Sequence, residues 1–258
     1  MRPFSSSWAE RLLRNRIGSL APNVGVFVTD LATGAQAAVN PDYLFDAGSV
    51  AKLPVAMTVL HLVTRGSLTL DTPVTYIAAL DYAEGSGSLR YVIQDGDQIP
   101  ISELLDRMIR VSDNVAWNML ERFVGAGTVD AYAASLGVQT PYTTTRPQLT
   151  PRDANTLLVA LDSGRAGISR DLTQYLIGLM ATTVFRDRIP AGVPSSAYVA
   201  EKVGTLDNAV HDVGLVYAPN RSFAISVMTA NLPYDRAVRL ISDLAATMYW
   251  YEDWLATA

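Results

Sequence analysis

The last third of the chain changes its apolar period, and that change constrains the fold more than any other feature. "SAYVAEKVGT", "HDVGLVYAP" and "RSFAISVMTA" (residues 196–205, 211–219 and 221–230) read as three sequential strands. Their links are short, Leu206–Val210 and a tight turn at Pro219–Asn220. A parallel crossover needs a dozen or more residues, so the three are expected to pair antiparallel. Near the N-terminus, "NVGVFVTDLATGAQAAVN" alternates apolar residues at Val24, Val26 and Val28 and turns around Ala32–Gly34, which predicts a hairpin. "SWAERLLRNRIG" before it, with Leu12, Leu13 and Ile17 near helical spacing, predicts an amphipathic helix, and "YDRAVRLISDLAATMYWYEDWL" a long closing one.

Between hairpin and strands the pattern is helical: "SELLDRMIR", "VAWNMLERFV", "TVDAYAASLG" and "DLTQYLIGLMATT". "TPRDANTLLVAL" starts with Thr150 as N-cap, Pro151 at the first helical position and Asp153 three residues on. Val50 to about Thr64 is a helix apolar on most faces, with Pro54 conflicting locally with its second turn. The order predicts an α/β fold: an antiparallel sheet of about five strands, flanked by N- and C-terminal helices, with an inserted all-helical lobe. The 258 residues read as one domain, with an α/β lobe from 1–46 plus about 186–258 and a helical lobe over about 47–185. A cleft is expected between the lobes.

Composition excludes several classes. A net charge of −5 without a long basic run argues against nucleic acid as a partner. There is no cysteine, hence no disulfide or thiolate chemistry, and the two histidines, His61 and His211, are too far apart in sequence for a His-rich metal site. No metal or organic cofactor is expected. The N-terminus has no apolar run of signal-peptide length. Leu53–Val63, the longest apolar stretch, is too short to span a bilayer.

Of the 20 basic residues only Lys52 and Lys202 are lysine. Arginine supplies a surface cation equally well but cannot be deprotonated, so a chain that avoids lysine is expected to keep it where lysine chemistry is needed. Lys52 follows Ser49 by three residues at a helix start, just under one turn, which puts an amine beside a hydroxyl near the positive helix end. An unprotonated lysine there can take the serine proton. Read alone, the pair is equally an N-cap serine and a snorkelling lysine. Ser112-Asp113-Asn114, between two predicted helices, reads alone as a cap. Lys202-Val203-Gly204-Thr205 reads alone as a strand end with a solvated amine and a turn glycine.

Taken together and in this order, the three resemble the Ser-x-x-Lys, Ser-Asp-Asn and Lys-Thr-Gly signature of class A β-lactamases and penicillin-binding proteins. The likeness runs over essentially the whole chain. It implies that Ser49 attacks an acyl carbonyl, Lys52 accepts its proton, and Ser112 relays a proton to the leaving nitrogen with Lys202 nearby. It also implies that Asn114 binds the substrate's acyl amide and steadies Lys52. The N–H groups of Ser49 and Thr205, the latter beside Gly204, would form the oxyanion hole, and Asp113 would brace the turn. The implied partner is a small-molecule or peptide acyl substrate, and the implied location is extracytoplasmic.

Three departures from the pattern bear on activity. "GVQTPYTTTRPQLTPRDANTLL", where class A enzymes carry a deacylating glutamate on a longer loop, has no glutamate; its only carboxylate is Asp153. Val203 stands where the third motif has a hydroxyl. His211 stands where many class A enzymes have a carboxylate-binding arginine, so it is expected either to bind substrate or to be structural. "DYAEGSGSLRYV" reads as a surface loop, and by the resemblance as an overhang of the cleft; His61 reads as a packed core residue, and "MYWYEDWL" as helix packing on the sheet. The leading expectation is a serine hydrolase, β-lactamase-like or D-Ala-D-Ala carboxypeptidase-like, that acylates at Ser49 on β-lactam, peptide or ester substrates with weak β-lactam turnover. A covalent sensor without turnover and an acyltransferase are the alternatives.

Overall fold

A computed structural model describes residues 2–257. Helix α1 (Ser6–Ile17) starts where the Ser5 hydroxyl accepts the Trp8 N–H and ends at Gly18, whose φ of 55° reverses the chain. Ala9, Leu13 and Ile17, four residues apart, are its buried stripe. Strands β1 (Val24–Asp30) and β2 (Gln36–Val39) form the expected hairpin, with Val26 opposite Val39. After a long helical insertion come β3 (Tyr198–Leu206), β4 (Ala209–Tyr217) and β5 (Phe223–Thr229). All pairings are antiparallel and the order is β2-β1-β5-β4-β3, so the C-terminal strands close on the N-terminal hairpin.

The insertion holds α2 (Lys52–Thr64), α3 (Ile101–Arg110), α4 (Asn114–Val124), α5 (Ala126–Ser135), α6 (Pro151–Asp162) and α7 (Arg170–Ala181). Thr150 caps α6 as expected, its hydroxyl accepting the Asp153 N–H at 3.0 Å. The conflict at Pro54 resolves because a 3-10 turn, Gly48–Ala51, leads into α2. Pro54 is then the third residue of the α-helix, in the turn where backbone N–H groups are least committed.

Strand alternation gives the sheet two apolar faces. On one, Val213, Leu215 and Met228 pack into the helical insertion with Leu53, Met57 and Leu158. On the other, Val26, Val28, Ile225 and Val227 pack against α1 and the closing helix α8 (Tyr234–Thr257) through Leu13, Leu244 and Met248. The aromatic end of α8 divides: Tyr249 and Tyr251 are buried, but Trp250 and Trp254 are 59% and 50% exposed and share a groove with Trp8. So the expectation that this cluster simply packs on the sheet holds for the tyrosines only. His61 is likewise not a core residue: it is half-buried near the end of α2, with Nδ1 at 3.1 Å from the Gly167 carbonyl and its ring against Tyr132. Among the described residues no helix is long and apolar enough to cross a membrane.

Arg221, in the β4–β5 turn, ties both ends of this layer. It pairs with Asp30 at the end of β1 and, at 2.8 Å, with Glu252 of α8, all three side chains being at least 96% buried. Breaking a buried ion pair from one side leaves uncompensated charge, typically at about 3–5 kcal/mol. Arg221→Met is therefore expected to lower the unfolding free energy by about that amount, read from denaturant melts, while the cleft residues stay in place.

Candidate active site

Ser49 lies in the Gly48–Ala51 turn, directly ahead of α2, and is half-buried. Lys52, the first residue of α2, is completely buried. Its Nζ lies 2.9 Å from Ser49 Oγ, 2.5 Å from the Ser112 carbonyl oxygen, 2.9 Å from Ser112 Oγ and 2.7 Å from Asn114 Oδ1. Burial pushes this amine well below the ordinary lysine range; the charge of Lys202 pushes the same way and Asp113 opposes. A neutral amine has two N–H groups and one lone pair. The carbonyl and the amide oxygen can only accept, so they take both N–H groups. The lone pair is left facing the two serine hydroxyls.

Ser112 sits between α3 and α4 with φ of 58°, a conformation that is unfavourable for a non-glycine residue. That geometry aims its carbonyl and its hydroxyl at the same amine. Next to it Asp113 caps α4, with Oδ1 accepting the N–H groups of Val115 and Ala116 at 3.0 and 3.1 Å. Oδ2 of Asp113 accepts the Leu89 N–H at 2.9 Å. The 81–92 stretch thus docks on the Ser-Asp-Asn turn. A Cβ on Gly87, which has φ of 91°, would sit 2.1 Å from Asp113 Oδ2, so no side chain fits there. Asn114 is fixed from the same side: its Nδ2 donates to the Glu84 carbonyl at 2.7 Å, which leaves Oδ1 for Lys52.

From the sheet, Lys202 on β3 brings its Nζ to 3.1 Å from Ser112 Oγ and 3.0 Å from the Val203 carbonyl. It is buried, and burial lowers its pKa to about 7; Asp212 works against this and Arg188 adds to it. Gly204 lets the strand edge approach the nucleophile's turn, since a Cβ there would fall 2.7 Å from the Ala47 carbonyl. A cleft of about 240 Å³ has Ser49, Ser112, Val203 and Thr205 in its lining, together with residues that local motifs do not reveal, among them Arg188 and Tyr234. A larger groove of about 720 Å³, the tryptophan groove between α1 and α8, holds none of this chemistry.

The expectation that His211 binds substrate is corrected. It is fully buried in β4, Nε2 is 2.8 Å from the Asp46 carbonyl, and Nδ1 accepts the Thr229 N–H at 3.1 Å. Both nitrogens serve the main chain, and burial lowers its pKa to about 4. The cation on the cleft is Arg188, from the connection before β3. Its Nη1 donates to the Gly204 and His211 carbonyls at 3.1 and 2.6 Å, and its Nη2 to Thr205 Oγ1 at 2.6 Å. "FRDRIP" gives no local sign of this role. Sequence reading also missed Trp117, one turn along α4 from Asn114, whose ring centroid is 5.1 Å from Lys52 Nζ. Its Nε1–H donates to the Tyr142 hydroxyl at 3.2 Å, and that hydroxyl to Glu121, whose pKa burial raises.

Asp153, the sole carboxylate in the loop-and-helix stretch where a deacylating base was sought, is fully engaged. Its oxygens accept from the Gln139 N–H at 2.8 Å and from the N–H and hydroxyl of Thr140 at 3.3 and 2.6 Å. It closes the loop that runs under the nucleophile, where the Ala47 N–H donates to the Pro147 carbonyl at 2.8 Å.

A serine whose hydroxyl faces the lone pair of a buried lysine, in a cleft between a sheet and a helical insertion, defines a serine hydrolase. Residues 9–251 match the family model described as the beta-lactamase enzyme family, and the chain belongs to that family. It is 28% identical over 252 residues to a beta-lactamase of Streptomyces albus G, across 90% of this chain and 80% of that one. Among solved structures it is similar to PBP-A, with TM-score 0.89 and 25% identity over 98% of both chains. It is also similar to the L158E mutant of PBP-A, an acyl-enzyme complex with penicillin-G, with TM-score 0.86 and 27% identity over 94% of this chain and 96% of that one.

Neutral His211 makes a pH prediction. With its pKa about 4 in the fold against 6.5 in the unfolded chain, the unfolded state binds the extra proton between those values. Stability from this residue is complete above pH 6.5 and is lost as pH falls through about 4, by about 3 kcal/mol in all. Unfolding free energies measured from pH 8 to 4 are expected to show that slope, and His211→Gln to lack it.

Proposed function

We propose that the chain is a penicillin-interacting acyl-transfer enzyme that acylates at Ser49 on β-lactams and on wall-peptide or ester substrates, with slow release of the acyl group. The observation that carries this reading is the pairing of a base-ready Lys52 with an Asp153 carboxylate taken up by the Gln139 N–H and the Thr140 hydroxyl. Acylation is provided for; water activation by the usual carboxylate is not.

Ser49 Oγ gives its proton to the Lys52 lone pair and attacks the acyl carbonyl. The N–H groups of Ser49 and Thr205 receive the developing oxyanion, and one such donor is typically worth about 3 kcal/mol of barrier. As the C–N bond breaks, Ser112 Oγ donates a proton to the leaving nitrogen and is resupplied from Lys52, 2.9 Å away. Lys202, 3.1 Å from the same hydroxyl, biases that transfer by its charge. Asn114 receives the acyl amide. Arg188 and Thr205 supply the carboxylate contact that Val203 lacks. The likeness to the L158E mutant of PBP-A, an acyl-enzyme complex with penicillin-G, supports acylation by a β-lactam in this reading. The site of action on such substrates is extracytoplasmic. A covalent sensor is the second reading, favoured by the consumed Asp153; an acyltransferase would differ by forming product only when an amine or alcohol acceptor is supplied.

Intact-protein mass spectrometry after mixing with penicillin G tests the assignment. A mass gain that persists for hours and is absent in Ser49→Ala is expected; loss of penicillin with only a transient adduct would overturn slow deacylation. Lys52→Ala is expected to slow adduct formation by roughly 10²–10⁴-fold. Turnover of an ester or a D-Ala-D-Ala peptide separates enzyme from sensor. Lys202 is charged below pH about 7 and loses that charge as pH rises through it. Adduct formation followed against pH should therefore fall above neutrality, and in Lys202→Ala that limb should vanish into a uniformly low rate.

A further inference from the structure

Behind the cleft, β3 and β4 carry two acidic side chains that the acylation chemistry does not use. Glu201 and Asp212 are both completely buried. The register sets Asp212 opposite Val203, so Asp212, Glu201 and Val203 share one face of the sheet while Lys202 points to the other. The two carboxyl groups are diagonal neighbours on that face, Glu201 pairing with Gly214 two residues along β4 from Asp212. Asp212 Oδ2 also accepts the Ile189 N–H at 3.0 Å. Asp212 Oδ1 and both Glu201 oxygens have no hydrogen-bond partner among the described residues.

Two adjacent carboxylates cannot both ionise in a dry site, so one proton stays between them. Burial pushes both carboxyl groups up, Glu201 to about 12, and the Ile189 N–H accepted by Asp212 Oδ2 is the contact that favours holding the charge on Asp212. The charged groups facing the pair are Arg186, whose Nη1 is 3.6 Å from Glu201, then Arg188 and Lys202. Arg188 is the one that depends on the pair most. It is a buried guanidinium whose Nε has no hydrogen-bond partner and whose nearest carboxylate, that of Asp187, lies 3.6 Å off and is 46% exposed. Its other contacts are neutral oxygens. A buried cation needs a buried counter-charge. Asp212 is a buried carboxyl group that grips the next residue, Ile189, by its backbone N–H.

We propose that Glu201 and Asp212 are a proton-sharing pair whose single negative charge positions Arg188, so that two residues that never touch substrate set the cleft's affinity for a substrate carboxylate. This rests on the reading of Arg188 as the carboxylate-binding cation. One charge is the useful number. A dianion would draw the guanidinium toward the sheet, and a neutral pair would leave it uncompensated and free to swing out.

The test compares acylation by penicillin G with acylation by an activated ester of the same acyl group that carries no carboxylate. Arg188→Ala is expected to slow penicillin selectively; if it does not, the reading of Arg188 fails. Asp212→Asn removes the charge and keeps the shape. It is expected to weaken penicillin binding by about tenfold or more, at unchanged limiting rate and with the ester unaffected. Glu201→Gln keeps a donor beside the Asp212 anion and is expected to match the unaltered protein with both substrates. If Arg188→Ala discriminates but Asp212→Asn slows both substrates alike, or neither, the pair's role is overturned while Arg188 stands. Infrared spectra at pH 8 decide the proton independently, even if Asp212→Asn fails to fold. A protonated-carboxyl band lost in Glu201→Gln is expected, and its absence from the unaltered protein would overturn the proposal.

Discussion

The site depends on one buried amine. Lys52 has no exposed surface, and burial disfavours an ammonium group there more than the charge of Asp113 favours it. Neutrality is the favourable answer, and the cage around Lys52 fits a neutral amine: two oxygens that only accept, and two hydroxyls that can also donate. The rest of the local structure serves that cage. Ser112 holds an unfavourable backbone angle so that carbonyl and hydroxyl reach the same nitrogen, and Asp113 ties down the turn from three N–H groups.

Sheet register brings the second half of the site to the first. Antiparallel pairing sets Gly204 opposite His211, and the missing side chain at Gly204 lets β3 close on the Gly48–Ala51 turn. His211 then works as a strut between the Asp46 carbonyl and the Thr229 amide, while the buried Arg188 lines the cleft. The same pairing stacks Asp212 beneath Val203, behind the cleft wall. Charge is therefore layered across two strands: a titrating amine on the helical side, a single buried anion on the α8 side, and a guanidinium at the edge between them.

On the proposed reading, acylation and release are supported unequally. The groups for attack come from rigid elements, the first turn of α2, the cap of α4 and the middle of β3. The loop beneath them is closed by Asp153, and the ring beside Lys52 is that of Trp117, held in turn by the Tyr142 hydroxyl. Within a family whose relatives include beta-lactamases and PBP-A, that inequality is what sets the proposed slow deacylation apart.

The sequence by itself determined what is local. Period and capping residues set α1, α6 and the five strands, and the short links made the sheet antiparallel, because these follow from backbone geometry over a few residues. Ser49, Lys52, Ser112, Asn114 and Lys202 were legible because each motif is short and the two lysines stand out in an arginine-rich chain. What only the tertiary structure decided is long-range. Arg188 reaches the cleft from a connection without a motif, His211 withdraws into the sheet, Trp250 and Trp254 face solvent, and Glu201 finds Asp212 across a register. Each of these turns on burial and on which charge lies behind which strand, and the energy of a charged or titrating group is fixed by its surroundings in space rather than by its neighbours along the chain.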